Sequence, residues 1–265
     1  MNSKPSVTVI IPYKDNLKYL FSSLNSVFQQ TYKNYKILII YDDENLKDLE
    51  KIKKFLKNKD KKIFPFVKIK IKINKKNLGA GHSRNIGIKK SNSKYVAFLD
   101  SDDIWAKKKL EIQIKFMEKN DQLFSHTSYF IINKKNKIIS LRKAKKIITF
   151  KSLLKSCDIG LSTVMINTKF IKKKKYYFPK IKTKEDFVLW LKVAKEIKSI
   201  VGIDKKLTYY RKTNNSLSSN KLTGLINGYK VYRNYMNYSQ IKSFVYLIIL
   251  SINYFKKNIL SKRFF

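Results

Sequence analysis

Asp100-Ser101-Asp102-Asp103 sets three carboxylates at positions i, i+2 and i+3, directly after the apolar run Tyr95–Leu99. Carboxylates so spaced can share a divalent cation, and a hard cation held by few protein oxygens completes its shell with water and ligand phosphates. Two other acidic groups stand out, Asp42-Asp43-Glu44 and Glu185-Asp186. The background makes them conspicuous: 59 Lys and Arg against 18 Asp and Glu leave this 265-residue chain with a net charge of +41, yet eight of the 18 acids lie in these three clusters. Acids gathered together in so basic a chain point to metal binding or proton transfer. Upstream, Asn77-Leu78-Gly79-Ala80-Gly81 opens a helical stretch whose first N–H groups and positive dipole end suit an anion, with Arg84 one turn inside. Together, a cation site, an anion site and an acidic edge describe a nucleotide diphosphate pocket. There is no Walker A sequence, which argues against a P-loop ATPase, and Gly79-Ala80-Gly81 is no dinucleotide fingerprint.

These groups need a scaffold that brings them together. Val7–Ile11 is a short apolar run ending at Pro12, the pattern of a strand buried on both faces of a parallel sheet. Leu17, Leu20, Phe21, Leu24, Val27 and Phe28 follow helical spacing, with Asp15 or Asn16 as the expected N-cap. A second run, Ile37–Tyr41, delivers Asp42 and Asp43 at its end, and a second amphipathic helix covers Leu46–Leu56. The alternating Val67–Ile73 reads as a half-exposed strand, a third helix runs to Lys90, and Tyr95–Leu99 ends on Asp100. This order predicts a doubly wound α/β sheet with right-handed crossovers, with ligands bound beyond the carboxyl ends of its strands. A single Asp after a strand is a common turn former; two acidic clusters on one sheet edge mark a site. Further on, strands are expected at Phe124–Ile132, Ile138–Leu141 and Ser162–Ile166, and helices around Leu110–Met117 and Phe187–Ile197.

The net charge raises nucleic acid, an anionic membrane or anionic substrates as partners. Base readers rely on arginine, but only five of the basic residues are Arg and the lysines spread through nearly every segment, so no nucleic-acid partner is expected. The single Cys157 forms neither an internal disulfide nor a zinc cluster and suits a reducing cytosol. No signal peptide is expected, since Met1–Pro5 leads straight into the first strand.

Several ordered motifs resemble one family. Ile10-Ile11-Pro12-Tyr13, Ser26-Val27-x-x-Gln30-Thr31-Tyr32, Asn77-x-Gly79-x-x-x-x-Arg84-Asn85-x-Gly87 and Tyr95-Val-Ala-Phe-Leu-Asp100-Ser-Asp102-Asp103-x-Trp105 come first. Ser162–Ile166, Glu185-Asp186-x-x-Leu189-Trp190-Leu191 and Tyr210-Arg211-x-x-x-x-Ser216-Leu217-Ser218-x-Asn220-Lys221 follow. The set, from about Val7 to Lys221, resembles the inverting family 2 glycosyltransferases of GT-A fold, particularly bacterial surface-polysaccharide and lipopolysaccharide members. The resemblance implies a Rossmann-like, mostly parallel sheet flanked by helices, a nucleotide-sugar donor, usually a UDP-sugar, and Mn²⁺ or Mg²⁺. It implies that Pro12 and Tyr13 border the base and that Asp42 or Asp43 binds it. Arg84 would lie by the nucleotide, Asp100 and Ser101 on the donor side, and Asp102 on the metal. Asp186 would be the general base, with Glu185, Trp190 and Arg211 as secondary candidates. Two positions depart from the family pattern: Tyr41-Asp42-Asp43-Glu44-Asn45 replaces Asp-Asp-Gly-Ser, and Thr213 stands where many members carry His.

The implied acceptor is a glycan or lipid-linked oligosaccharide at the inner face of the cell membrane. Lys221–Phe265 contains no Asp or Glu, eight Lys or Arg and ten Tyr or Phe, and its apolar stretch is shorter than the roughly 20 residues that span a bilayer. It reads as a helical tail that associates with an anionic membrane surface. The expected division is thus 1–105 for the donor half, 106–220 for the acceptor half and 221–265 for the tail. Two other functions share parts of this pattern: a nucleotidyltransferase that makes a nucleotide sugar, and a basic nucleic-acid-binding protein on a degenerate enzyme fold.

Overall fold

The computed structural model describes residues 5–63, 67–213 and 221–262. The Ser216–Asn220 part of the last motif lies outside them.

The first half follows the alternation legible in the sequence: β1 (Val7–Tyr13), α1 (Leu17–Phe28), β2 (Tyr35–Tyr41), α2 (Lys47–Ile63), β3 (Lys68–Ile73), α3 (Ala80–Lys90) and β4 (Tyr95–Phe98). The sheet order here is β3-β2-β1-β4, all parallel. β1 and β4 are buried along their whole length, which is why they read as continuous apolar runs. β3 alternates lysine and isoleucine because it is the edge, and exposed lysines discourage further pairing. Asn16 occupies the N-cap position of α1 but makes no side-chain cap bond, because it and Asp15 both have left-handed φ values, 63° and 57°. This corrects the expected cap.

The second half comprises β5 (Ile104–Trp105), α4 (Lys109–Lys119), β6 (Phe124–Ile132), β7 (Ile138–Arg142), β8 (Ile147–Thr149), α5 (Phe150–Lys155), β9 (Met165–Asn167), α6 (Thr168–Lys173), α7 (Glu185–Glu196) and β10 (Ser199–Arg211). It extends the same sheet in the order β4-β9-β6-β10-β5, with β7 on β6 and β8 on β10. β9 runs antiparallel to both β4 and β6, while β6 and β10 are parallel. The strand expected at Ser162–Ile166 is only partly one: Leu161–Thr163 is a 3₁₀ turn and the strand starts at Met165. That turn frees Ser162 to hold the loop after β4.

Alternate strand residues feed two cores. Val9, Ile11, Ile37, Ile39 and Leu99 pack with α1, α2 and α4; Ile10, Leu38, Ile40, Val96 and Phe98 pack with α3, α5, α6 and α7. α3 lies so close to β1 that a Cβ at Gly87 would sit 2.5 Å from Ile10 Cγ2, so only glycine fits. After β10, α8 (Lys221–Lys230) passes through a π turn, Val231–Tyr235, to α9 (Gln240–Lys262). Tyr232 is fully buried against Phe187 and Tyr246, so part of the tyrosine-rich tail is core. Among the described residues no helix is long and apolar enough to cross a membrane.

Candidate active site

The loop carrying Asp100, Ser101, Asp102 and Asp103 follows β4 and is fixed from three sides. From below, the Asp100 N–H donates to Ser162 Oγ (3.0 Å), and Trp105 Nε1 donates to the Ser162 carbonyl (2.8 Å). From α1, Ser23 Oγ donates to the carbonyls of Ser101 and Asp103, Ser26 Oγ accepts the Trp105 N–H, and Gln30 bridges the Ala106 carbonyl and the Leu110 N–H. From β10, Arg211 gives its N–H to Asp103 Oδ1 (2.8 Å) and its Nε to the Asp102 carbonyl (2.8 Å). Ser23 and the loop-holding roles of Ser26, Gln30 and Ser162 escape sequence reasoning, which sees small polar residues on a helix and a strand. Their partners lie 46 to 80 residues away in the chain.

Arg84 links this loop to the other half of the cleft. Its guanidinium is 5% exposed and bridges Asp100 (Nη2–Oδ1 2.6 Å) and Glu185 (Nη1–Oε1 2.9 Å), above the ring of Phe178 at 5.4 Å. Burial opposes its charge, but Asp100 and Glu185 more than offset that and raise its pKa above the ordinary value. A Cβ at Gly81 would lie 3.0 Å from Glu185 Cγ, so a glycine one turn before Arg84 lets the start of α7 approach α3. Arg84 thus bridges the acids at the end of β4 and at the head of α7.

Asp186 is the second residue of α7, and its Oδ1 accepts its neighbour's N–H, that of Phe187, at 2.7 Å. Burial first, then the charge of Glu185, pushes its pKa up to about 6, with Arg84 opposing. Asp102 is likewise pushed up to about 6 by burial and then by Asp100. Asp103, buried at 1%, lies well above the carboxylate range, through burial and then its neighbours Asp102 and Asp100. Proton affinities this high mark an acidic cleft that favours a cation.

At the end of β2, Asp42 and Asp43 part company. Asp42 is 2% exposed; its Oδ1 accepts Asn74 Nδ2 (2.7 Å) and the Leu78 N–H (2.9 Å), fastening the loop before α3 to the sheet. Asp43 is partly exposed and caps its own turn through the Asn45 N–H. It faces Asp15, whose pKa rises through burial and then through Asp43. Of the two, Asp43 is the one open to a ligand. Pro12 and Tyr13 are both buried, and Tyr13 donates to Asp48 Oδ2 (2.7 Å) while packing on Tyr41. These two back this end of the cleft.

Other sequence expectations change role. Trp190 is fully buried among Phe98, Phe124 and Phe178, so it is a core residue with no surface for a ligand. Arg211, 2% exposed, also bonds the Asn133 carbonyl and Asn136 Oδ1 and stacks on Tyr19 at 4.6 Å; it holds the acidic loop from behind. Ser101 contributes its carbonyl to Ser23. His82 is exposed at the start of α3, and His126 is buried, its pKa lowered to about 4 by burial.

Among the described residues no three His, Cys, Asp or Glu side chains are grouped to hold a metal alone. The site instead offers Asp102, with Asp100 close enough to raise its proton affinity. One or two such carboxylates fit a hard dication that shares its shell with substrate phosphates.

Residues 8–178 match the family model described as glycosyl transferase family 2. The chain is 40% identical over 227 residues to an uncharacterized glycosyltransferase of Rickettsia felis, covering 83% of this chain and 36% of that one, so it spans about a third of the length of that relative. It is 34% identical over 220 residues to the Escherichia coli UDP-Glc:alpha-D-GlcNAc-diphosphoundecaprenol beta-1,3-glucosyltransferase WfgD, covering 83% and 82%. Among solved structures it resembles S. aureus TarS 1–349 in complex with UDP-GlcNAc, with a TM-score of 0.69 at 21% identity over 91% of this chain and 70% of that one. That likeness identifies the GT-A fold.

Proposed function

The chain belongs to glycosyltransferase family 2, and from that premise we propose that it moves a sugar from a UDP-sugar to a hydroxyl of a lipid-diphosphate-linked glycan in bacterial surface-polysaccharide synthesis, with inversion. The observation that carries this reading is the Arg84 bridge. One buried guanidinium meets Asp100 beyond β4 and Glu185 at the head of α7, so the acidic loop and Asp186 share one cleft. The donor belongs on the sheet edge between Asp43 and Asp100–Asp102; the acceptor belongs on the α7 side. WfgD, named for UDP-Glc and a diphosphoundecaprenol acceptor, supports the two substrate classes.

The chemistry asks little covalent work of the protein. Asp186, mostly ionised at pH 7, takes the proton of the acceptor hydroxyl as its oxygen attacks the anomeric carbon. The bond from that carbon to the donor diphosphate breaks on the opposite face, so the configuration inverts and UDP leaves with the bonding pair. Asp102 would hold Mn²⁺ or Mg²⁺, which when bound stabilises the charge on the departing diphosphate. The Arg84–Glu185 contact sets the head of α7, and with it Asp186, relative to the donor loop. A lipid-linked acceptor is consistent with work at the inner surface of the cell membrane, which is part of the same proposal.

The test is product analysis with UDP-sugars and lipid-diphosphate acceptors. We expect UDP release, a metal-dependent thermal shift by UDP, and a product of opposite anomeric configuration by NMR coupling. Release of pyrophosphate instead would identify a nucleotidyltransferase and overturn the reading.

A further inference from the structure

α9 rests on the protein along one side only. Ser243 and Leu250 are buried, Asn253 Nδ2 donates to the Lys155 carbonyl (2.9 Å), and Lys257 donates to the Cys157 carbonyl (3.3 Å) and pairs with Asp158. The opposite side presents Ile241, Phe244, Ile248, Ile252, Phe255 and Ile259, each between 44% and 80% exposed. At 3.6 residues per turn these fall within an arc of about 80° and run for about 27 Å. α8 adds Leu222, Leu225 and Ile226, also exposed.

An apolar stripe of this extent marks an interaction surface, and charge selects its occupant. No Asp or Glu follows Asp204, and Lys242 and Lys256 are exposed along one border of the stripe. A second copy in a twofold interface would set this acid-free surface against itself, like charge facing like charge. An anionic bilayer offers both apolar depth and negative charge.

We propose that α9 is an interfacial helix that lies flat on an anionic lipid surface, with Ile241–Ile259 at the boundary of headgroups and acyl chains and Lys242 and Lys256 among the headgroups. The helix is tied to the 155–158 segment by Asn253 and Lys257, and α5, which leads into that segment, shares a core with α7 through Leu153 and Leu154. Docking therefore brings the α7 side of the protein, the acceptor side in the reading above, near the membrane. The argument for this orientation rests on the lipid-linked acceptor proposed above; the docking surface itself does not.

The experiment is co-sedimentation of the full chain with vesicles of three-to-one phosphatidylcholine and phosphatidylglycerol, and of phosphatidylcholine alone. The wild type should partition about tenfold more strongly to the anionic vesicles, an advantage that added salt removes. Ile248→Asp with Ile252→Asp should lower that partition by about tenfold or more, with melting temperature and UDP-induced thermal shift unchanged. Equal sedimentation of the variant, equal binding to neutral vesicles, or a wild-type dimer that this variant converts to monomer would each overturn the proposal. Vesicle binding without any UDP shift would count against the enzymatic reading and leave the docking surface standing.

Discussion

Arg84 and Glu185 stand 101 residues apart in the chain and meet at 2.9 Å, and the same guanidinium holds Asp100 at 2.6 Å. The contact closes the cleft from behind: a residue of α3 fixes the head of α7. Arg84→Met would leave two carboxylates facing each other without their cation. We expect a loss of about 3 kcal/mol in urea unfolding, together with a fall in kcat larger than any rise in the KM for donor. Arg84→Met combined with Glu185→Gln should recover part of the stability, and an additive double variant would show that the pair is not coupled.

Asp186 should reveal itself in opposite directions in activity and stability. Its folded pKa of about 6 lies above the 3.8 of a free Asp, so folding favours its protonated form. The stability it contributes is present below about pH 4 and is lost as pH rises through 6. Asp186→Asn should therefore be more stable than wild type at pH 7, by roughly 1–3 kcal/mol, and lose this advantage at pH 4. Transfer should fall by about 10²-fold or more, and UDP binding should survive.

The wild-type pH profile follows from the same group. kcat/KM should rise with pH and level off above an apparent pKa near 6, dropping about tenfold for each unit below it. A profile flat between pH 5 and 7 would remove Asp186 as the base.

Asp102→Ala should separate metal from nucleotide. Calorimetry with UDP in the presence and absence of Mn²⁺ should show a metal-dependent gain in affinity for the wild type and none for the variant. Equal gains in both would place the cation elsewhere.

Trp190 gives a structural control. Trp190→Ala opens a cavity among Phe98, Phe124 and Phe178 and should cost about 3–5 kcal/mol in denaturant unfolding. At a temperature where the variant is folded, acceptor KM should be unchanged, as befits a side chain with no exposed surface.

The sequence discloses those parts of the fold and site that depend on local pattern. β1, β2 and β4 are buried on both faces and read as apolar runs, and the acids that end them are visible against a lysine-rich background. β10 is harder to see because Asp204, Lys205 and Lys206 interrupt its apolar positions where the strand becomes irregular against β6. A tryptophan suits core packing as well as sugar stacking, and an arginine suits phosphate binding; burial decides for Trp190 as core and shows Arg211 as a clamp. The pairing of Arg84 with Glu185 is invisible in the sequence because it joins two motifs 101 residues apart.

The three residues of β9 form the seam between the halves of the sheet, pairing with β4 through Tyr95, Val96 and Ala97 and with β6 through Phe124 and Ser125. A nascent chain emerging amino-terminus first can assemble β3-β2-β1-β4 early, but β4 then keeps one bare edge until residue 167 has been synthesised. The first four strands thus wait, unsealed, for a short segment made much later, and Met165 and Ile166 become the latch that closes β4 and carries the sheet on to β6.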